Sequence, residues 1–154
     1  VAVLLAFPAV LALLSPAIAV INHRTAEQTA SGYVSILAGI VEMVWAKTET
    51  TPLAYVGGSQ VIAEGVAFYA RGRLEAYPEL DAGNAPWIDP EDVRRKGMAI
   101  VCIISDVRCE QRAMALAAGR SGVRTTSVVL HRPFAGTTRS SPEVGIAIIP
   151  PAGE

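Results

Sequence analysis

The sequence predicts an α/β protein in which one N-terminal helix of transmembrane length precedes a small, open, mostly parallel sheet with helices packed on it. Two observations lead to this prediction. All 13 Lys and Arg and all 14 Asp and Glu residues lie beyond Ile21, so residues 1–21 carry no charged side chain. Beyond them, short apolar runs alternate with segments of helical periodicity, as expected when strands are connected by helices. We therefore divide the chain into a transmembrane helix, residues 1–21, and one globular α/β domain, residues 22–154.

Residues 1–21 are long enough to cross a bilayer, because a helix of about 20 apolar residues spans the hydrocarbon core. Pro8 and Pro16 are costly in a soluble helix but are tolerated in membrane helices, where neighbouring helices satisfy the freed carbonyl groups. The alternative is a secretory signal peptide, because Ala17-Ile18-Ala19 has the form of a cleavage site. We favour the membrane span, since the chain starts with Val and lacks a basic leader.

The domain begins with an amphipathic helix at about residues 25–47, which a capping box of Thr25 and Gln28 starts. Its apolar stripe is expected to face the core, because its polar side carries hardly any Lys or Arg for a membrane surface. Asp89, followed by Pro90, is expected to cap a short helix. Periodicity and turn residues predict strands at 53–56, 74–76, 98–104, 125–131 and 143–149, and helices at 60–69, 91–96 and from 105 to near 119.

The two cysteines match no metal-binding spacing. Cys102 falls inside a predicted strand and Cys109 in the first turn of the next helix. Because packed layers lie roughly 10 Å apart and a disulfide needs its Cα atoms within about 7 Å, we favour two small buried thiols over a bridge.

A candidate ligand crevice is predicted where two strands end and the following helices begin. Gly57, Gly58 and Ser59 follow the first strand, and Asp106 follows the strand at 98–104. Ligands of open α/β sheets bind at this position, and the free amides of a helix N-terminus favour anions. The structural alternatives, which we favour, are a tight turn that needs positive φ at the glycines and a helix cap at Asp106.

Motifs for catalysis, cofactors and nucleic acid are missing. The glycines fit neither a dinucleotide-binding loop nor a Walker loop, and Val61 occupies the position where a nucleophile elbow needs glycine. His23 and His131 have no second histidine or carboxylate at ligand spacing, so we expect no metal site. The net charge of −1 gives no indication of a basic face for nucleic acid. No catalytic residue and no cofactor are therefore predicted in this segment.

A group of carboxylates and aromatic rings could bind a sugar by stacking and hydrogen bonding. Glu75, Glu79 and Asp81 lie in an irregular stretch near Tyr77 and Trp87. We favour a solvated loop whose aromatic rings fold onto the core.

The order of elements resembles a known family over nearly the whole chain. An apolar span and an amphipathic helix ending in Trp45 are followed by TPLAYVGG at 51–58, VAFYA at 66–70, APWIDP at 85–90, the strand at 97–104 and IIPP at 148–151. This is similar to the C-terminal extracytoplasmic domain of bacterial family 39 membrane glycosyltransferases, the relatives of protein mannosyltransferases and of the aminoarabinose transferase of lipid A.

The resemblance implies an enzyme that transfers a sugar from a polyprenyl-phosphate carrier to an acceptor on the outer face of the inner membrane. It also implies that the catalytic carboxylates lie in loops between upstream membrane helices, so that this domain covers the site or contacts the acceptor. The expected partners are membrane lipid, the upstream helices, the carrier-linked sugar and a glycan or lipid acceptor. The alternatives are a secreted or singly anchored module that binds a small ligand or sugar, and a structural domain without a ligand.

Overall fold

The structure is a computed structural model that describes residues 14–16, 18, 33–134 and 137–152. Residues 14–16 and 18 are helical, and four helices with described bounds follow: α1 (Val34–Thr48), α2 (Gln60–Tyr69), α3 (Pro90–Lys96) and α4 (Val107–Ala117). Five strands accompany them: β1 (Tyr55–Gly58), β2 (Glu75–Pro78), β3 (Met98–Ile103), β4 (Arg124–Phe134) and β5 (Thr137–Ile149). The predicted α/β class is confirmed, and each strand predicted from the sequence is present with shifted ends.

The five strands form one mixed sheet in the order β2-β1-β3-β5-β4. β1 is parallel to both β2 and β3, whereas β5 is antiparallel to β3 and to β4. The sheet is therefore mixed rather than mostly parallel. The reason is that β4 and β5 form an antiparallel pair whose second strand attaches to β3, and hydrophobic periodicity carries no information on strand direction.

Both faces of the sheet are covered by helices. Successive β3 residues point to opposite faces, so Ala99 and Val101 join one core cluster while Ile100 and Cys102 join the other. α1 and α2 cover the first face, chiefly through the buried side chains Leu37, Val41, Trp45, Ile62 and Val66. α3 and α4 cover the second face through Val93 and Cys109. The continuous apolar sequence of β3 follows from burial on both sides.

The amphipathic helix ends at Thr48, one residue after the predicted end, and its apolar residues face the core only in part, because Ile36 is 41% exposed. Val34, Leu37, Val41 and Trp45 are buried on the sheet side of α1. Its predicted start near Thr25 lies outside the described residues.

The predicted span at 1–21 also lies outside the described residues, apart from residues 14–16 and 18. Within the part of the chain that the structure describes, no helix has both the length and the apolar character needed to cross a membrane.

The prediction of two free thiols is wrong, because Cys102 and Cys109 form a disulfide with a Cα–Cα distance of 5.7 Å. Only residues 104–106 separate β3 from α4, so the first turn of the helix passes directly over the end of the strand. At this point the two elements are closer than the usual layer spacing of about 10 Å, which allows the disulfide to form.

Candidate functional site

The carboxyl ends of β1 and β3, where the crevice was predicted, lie side by side. Gly58 is the parallel partner of Val101, and the two following helices leave the sheet on opposite faces. α2 returns the chain towards β2, while α4 leads towards β4. Such a reversal of direction between neighbouring parallel strands is where open α/β sheets bind their ligands.

The two glycines are the last residues of β1 rather than a separate turn. Gly58 has φ of 152°, and a Cβ atom there would overlap the carbonyl oxygen of Val101. A Cβ atom at Gly57 would overlap the side chains of Leu80 and Met98. The positive φ expected at the glycines is therefore present at Gly58, and close packing alone explains Gly57.

The N-terminus of α2 is occupied by a carboxylate of the protein itself. Ser59 is the N-cap residue but makes no side-chain capping bond. Instead, the Gln60 backbone N–H donates to Glu79 Oε1 at 3.1 Å. The first free amide of the helix thus binds a negative charge, as the field of a helix N-terminus favours.

Arg112 of α4 reaches across the crevice to the same carboxylate. Its Nη1 donates to the Glu79 backbone carbonyl at 2.6 Å and to Glu79 Oε2 at 3.2 Å. Its Nη2 lies 3.7 Å from Asp81 Oδ2. These side chains are 38 to 46% exposed, so the ion pairs are in contact with solvent. We name Glu79, Asp81 and Arg112 the bridge; it connects the segment after β2 to α4 above the predicted crevice.

The backbone at the bridge adopts an unfavourable conformation. Glu79 and Leu80 both have positive φ, 56° and 52°, although neither is glycine. Each such residue costs roughly 1–3 kcal/mol, and neighbouring contacts must maintain it. Leu80 is buried against Gly57, and the Glu79 N–H donates to the Gly58 carbonyl at 2.7 Å.

Asp106 functions as the predicted helix cap. Its Oδ1 accepts a hydrogen bond from the Cys109 N–H at 3.1 Å. The four predicted residues therefore lie along one edge of the sheet, with Gly57, Gly58 and Ser59 near the bridge and Asp106 at the start of α4. Arg112 could not be predicted from the sequence, because an arginine inside a helix belongs to no motif. Only the fold places it opposite Glu79.

The predicted sugar-binding group does not assemble as a unit. Tyr77 is buried in the core, where burial and then the nearby Asp81 raise the pKa of its hydroxyl. Trp87 is 65% exposed, so the expectation that both rings fold onto the core holds for Tyr77 alone. Glu75 is exposed on β2, and the other two carboxylates belong to the bridge.

A second charged cluster lies at the amino ends of the parallel strands, which we call the amino edge, where β1 begins and α3 ends. The Tyr55 hydroxyl donates to Asp92 Oδ2 at 2.5 Å, and Lys96 Nζ lies 2.7 Å from the same oxygen. Arg95 pairs with the other carboxylate oxygen. Lys96 and then Tyr55 hold the pKa of Asp92 at about 2, while burial and then Asp92 raise the pKa of Tyr55 well above its ordinary value.

Two grooves lie elsewhere on the domain, and neither is lined by the four predicted residues. One, of about 450 Å³, lies between α4 and the antiparallel strands and is lined by apolar and small side chains such as Ile104, Met114, Val123 and Ala147. The other, of about 710 Å³, lies at the end of α1 beside Thr51 and Arg71.

The groups at the carboxyl edge can bind an anion or a hydroxyl group, but they do not form a catalytic set. His131, which could act as a base, lies on β4 at the far edge of the sheet. No group of three metal-ligating side chains occurs among the described residues. Compared with known proteins, the chain matches no protein-family model, no curated protein and no solved structure.

Proposed function

We propose that this chain is the C-terminal portion of an integral-membrane glycosyltransferase that transfers a sugar from a polyprenyl-phosphate carrier to an acceptor on the outer face of the membrane. Residues 22–154 are its accessory extracytoplasmic domain. The family assignment rests on the sequence resemblance. The extracytoplasmic location is supported by the Cys102–Cys109 disulfide, because such bonds persist in oxidising compartments and are rare in the cytosol. A charge-free apolar segment at 1–21 supports attachment to the inner membrane.

The bridge supports an accessory role rather than a catalytic one. The Glu79 carboxylate accepts hydrogen bonds from Arg112 and from the first amide of α2. These two side chains therefore offer Ser59 no free acid or base. An inverting transfer needs a carboxylate base to deprotonate the acceptor. In this proposal the base lies upstream, and the domain covers the site or contacts the acceptor.

A transfer assay in membranes tests the proposal. Membranes that contain the whole gene product are expected to move radiolabelled sugar from a polyprenyl-phosphate donor to a lipid or glycan acceptor. Deletion of residues 22–154 is expected to abolish the transfer. A gene without hydrophobic segments before Val1, or a whole gene product that never transfers from this donor class, refutes the proposal.

The alternative is a secreted or singly anchored α/β module that binds a small ligand or sugar at Gly57, Gly58, Ser59 and Asp106. The reversal of chain direction at this edge favours it, together with an arginine that is 39% exposed. Its secreted form requires a mature N-terminus near Val20, and both forms require binding of sugars or small anions that Arg112→Gln weakens. Mass spectrometry of the mature protein separates it from the glycosyltransferase proposal.

A further inference from the structure

The helical layer formed by α1 and α2 is apolar on the side that faces away from the sheet. Ile36 and Met43 on α1 are 41% and 51% exposed, and Val61 and Phe68 on α2 are 56% and 80% exposed. The members of each pair are seven residues apart, which places them on one side of their helix. Because Gly65 packs against Val34, the two helices lie close together, and both pairs lie opposite the buried residues of their helices, on the side away from the sheet. We name it the outer helical face.

A helix on a sheet normally presents polar residues to solvent, whereas a helix that is apolar all round is covered by protein or lipid. α1 carries only two charged side chains, Glu42 and Lys47. The Glu42 carboxylate is already engaged, because its Oε1 accepts from the Arg71 N–H at 2.7 Å and from the Gly72 N–H at 3.3 Å. Burial against the sheet therefore accounts for only one of the two apolar sides of α1.

Aromatic and basic residues follow each other at one end of the outer helical face. The rings of Phe68 and Tyr69 lie 5.1 Å apart in an edge-to-face arrangement. Arg71 and Arg73 follow immediately and are exposed, and the two hydrogen bonds to Glu42 hold this turn beside α1. Exposed aromatic rings next to arginines are typical of surfaces that lie in the headgroup region of a bilayer.

We propose that the outer helical face lies against the headgroups of an anionic lipid bilayer, with Phe68 and Tyr69 inserted and Arg71 and Arg73 bound to lipid phosphates. The inference rests on the membrane attachment in the proposed function, and not on sugar transfer. Only eleven residues, 22–32, separate the charge-free segment from the start of the described domain at Tyr33, a reach of at most about 40 Å. α1 is therefore held near the membrane wherever residues 1–21 enter it.

Charge selects lipid as the occupant. α1 itself carries hardly any basic residue, so the cationic groups that a membrane surface needs come from Arg71 and Arg73 after α2, which attract anionic phosphates. Glu64 lies between Val61 and Phe68 and accepts a hydrogen bond from Gln60 Nε2 at 3.1 Å. This charge is compatible with the hydrated headgroup layer, whereas a dry protein interface would leave it without a cationic partner from α2 itself.

Nitroxide labels on the full 154-residue chain test the inference in vesicles of phosphatidylcholine with and without phosphatidylglycerol. One label is placed by Phe68→Cys and the matched control by Met114→Cys on α4, at the opposite face of the sheet, where the native residue is 64% exposed. The native cysteines are bonded to each other and stay unlabelled. Collision with oxygen reports lipid, and collision with a water-soluble nickel complex reports solvent.

The expected result is a several-fold higher oxygen-to-nickel ratio at position 68 than at position 114 in vesicles with phosphatidylglycerol. Combining Arg71→Ala with Arg73→Ala should lower this ratio there and leave it unchanged in phosphatidylcholine alone. Failure of the chain to bind vesicles, or equal solvent exposure at both labels, overturns the inference. So does protection of position 68 from both reagents, because that result indicates a protein contact such as a second copy of the chain.

The transfer assay separates this inference from the proposed function. Lipid contact at position 68 in a protein that transfers no sugar supports the inference and refutes the glycosyltransferase. Sugar transfer by a protein whose position 68 stays in water supports the glycosyltransferase and refutes the lipid contact.

Discussion

At the amino edge of the sheet the Asp92 carboxylate is buried and bonded to Tyr55, Arg95 and Lys96, whereas at the carboxyl edge the Glu79 carboxylate is 38% exposed. The first cluster connects β1 to the helix that precedes β3. The second holds a strained turn against the N-terminus of α2 and an arginine in the middle of α4. A buried carboxylate that accepts several hydrogen bonds stabilises one arrangement, even though its Arg95 and Lys96 partners are exposed, while ion pairs with both sides half-exposed exchange readily with solvent or ligand. The charged cluster of the amino edge therefore stabilises the fold, and the ion pairs of the carboxyl edge are where a ligand can compete.

The largest expected effect lies at the carboxyl edge, in the glycine that ends β1. Gly58→Ala should destabilise the domain by roughly 3 kcal/mol, because the new Cβ overlaps the Val101 carbonyl and φ is positive. Denaturant unfolding measures the change. Gly72→Ala is the control, since nothing lies within 4 Å of its Cβ position, and its effect should stay within about 0.5 kcal/mol. Equal stability of the two variants would contradict the close approach of β1 to β3.

The second largest effect concerns the disulfide that connects β3 to α4. Replacing both cysteines by alanine should remove roughly 2–3 kcal/mol, because the bond closes a short loop with a sequence separation of 7. Reduction of the wild-type protein should lower its stability by a similar amount and leave the alanine variant unchanged. A wild-type protein that unfolds at the same denaturant concentration with and without reductant would show that the thiols are free.

The third effect is specific to the amino edge and depends on pH. Asp92→Asn should destabilise the domain at neutral pH, since it removes a carboxylate that Lys96 and Tyr55 stabilise in its charged form. The pKa of Asp92 is lowered to about 2 in the folded state, so its contribution is complete above the unfolded value near 3.9. As the pH falls from about 4 to about 2, the difference between wild type and variant should shrink.

Unfolding curves across this pH range measure the Asp92 effect. Glu91→Gln on the same helix is the control, because its ion pair with Arg94 is exposed on both sides. A difference between wild type and Asp92→Asn that stays constant down to pH 2 would show that the carboxylate has an ordinary pKa.

The smallest effect is expected from the bridge. Arg112→Gln should change the free energy of unfolding by less than about 1 kcal/mol, because exposed ion pairs contribute little. Arg108→Gln, on the same helix, should behave alike. A loss of several kcal/mol at position 112 alone would place the bridge with the amino edge as a structural element and would weaken its assignment as a ligand edge.

Local patterns predicted the elements well. The helix at 60–69 has the predicted limits, and the caps at Asp89 and Asp106 accept the expected backbone hydrogen bonds. Periodicity, turn residues and caps act over a few residues, so a sequence window contains the information that determines them. The apolar run of β3 likewise predicted a strand covered on both faces.

The candidate site was only partly predictable. The strand-end positions of Gly57, Gly58, Ser59 and Asp106 followed from the order of elements. Arg112 did not, because its partner Glu79 lies 33 residues away and meets it only through the fold.

By itself, the sequence determined the α/β class, the elements and the charge-free segment, because these depend on composition and short-range spacing. The tertiary structure decided the mixed sheet, the disulfide, the bridge and the outer helical face. Each of these depends on which elements become neighbours, and strand pairing and helix packing are set by long-range contacts that no local pattern specifies.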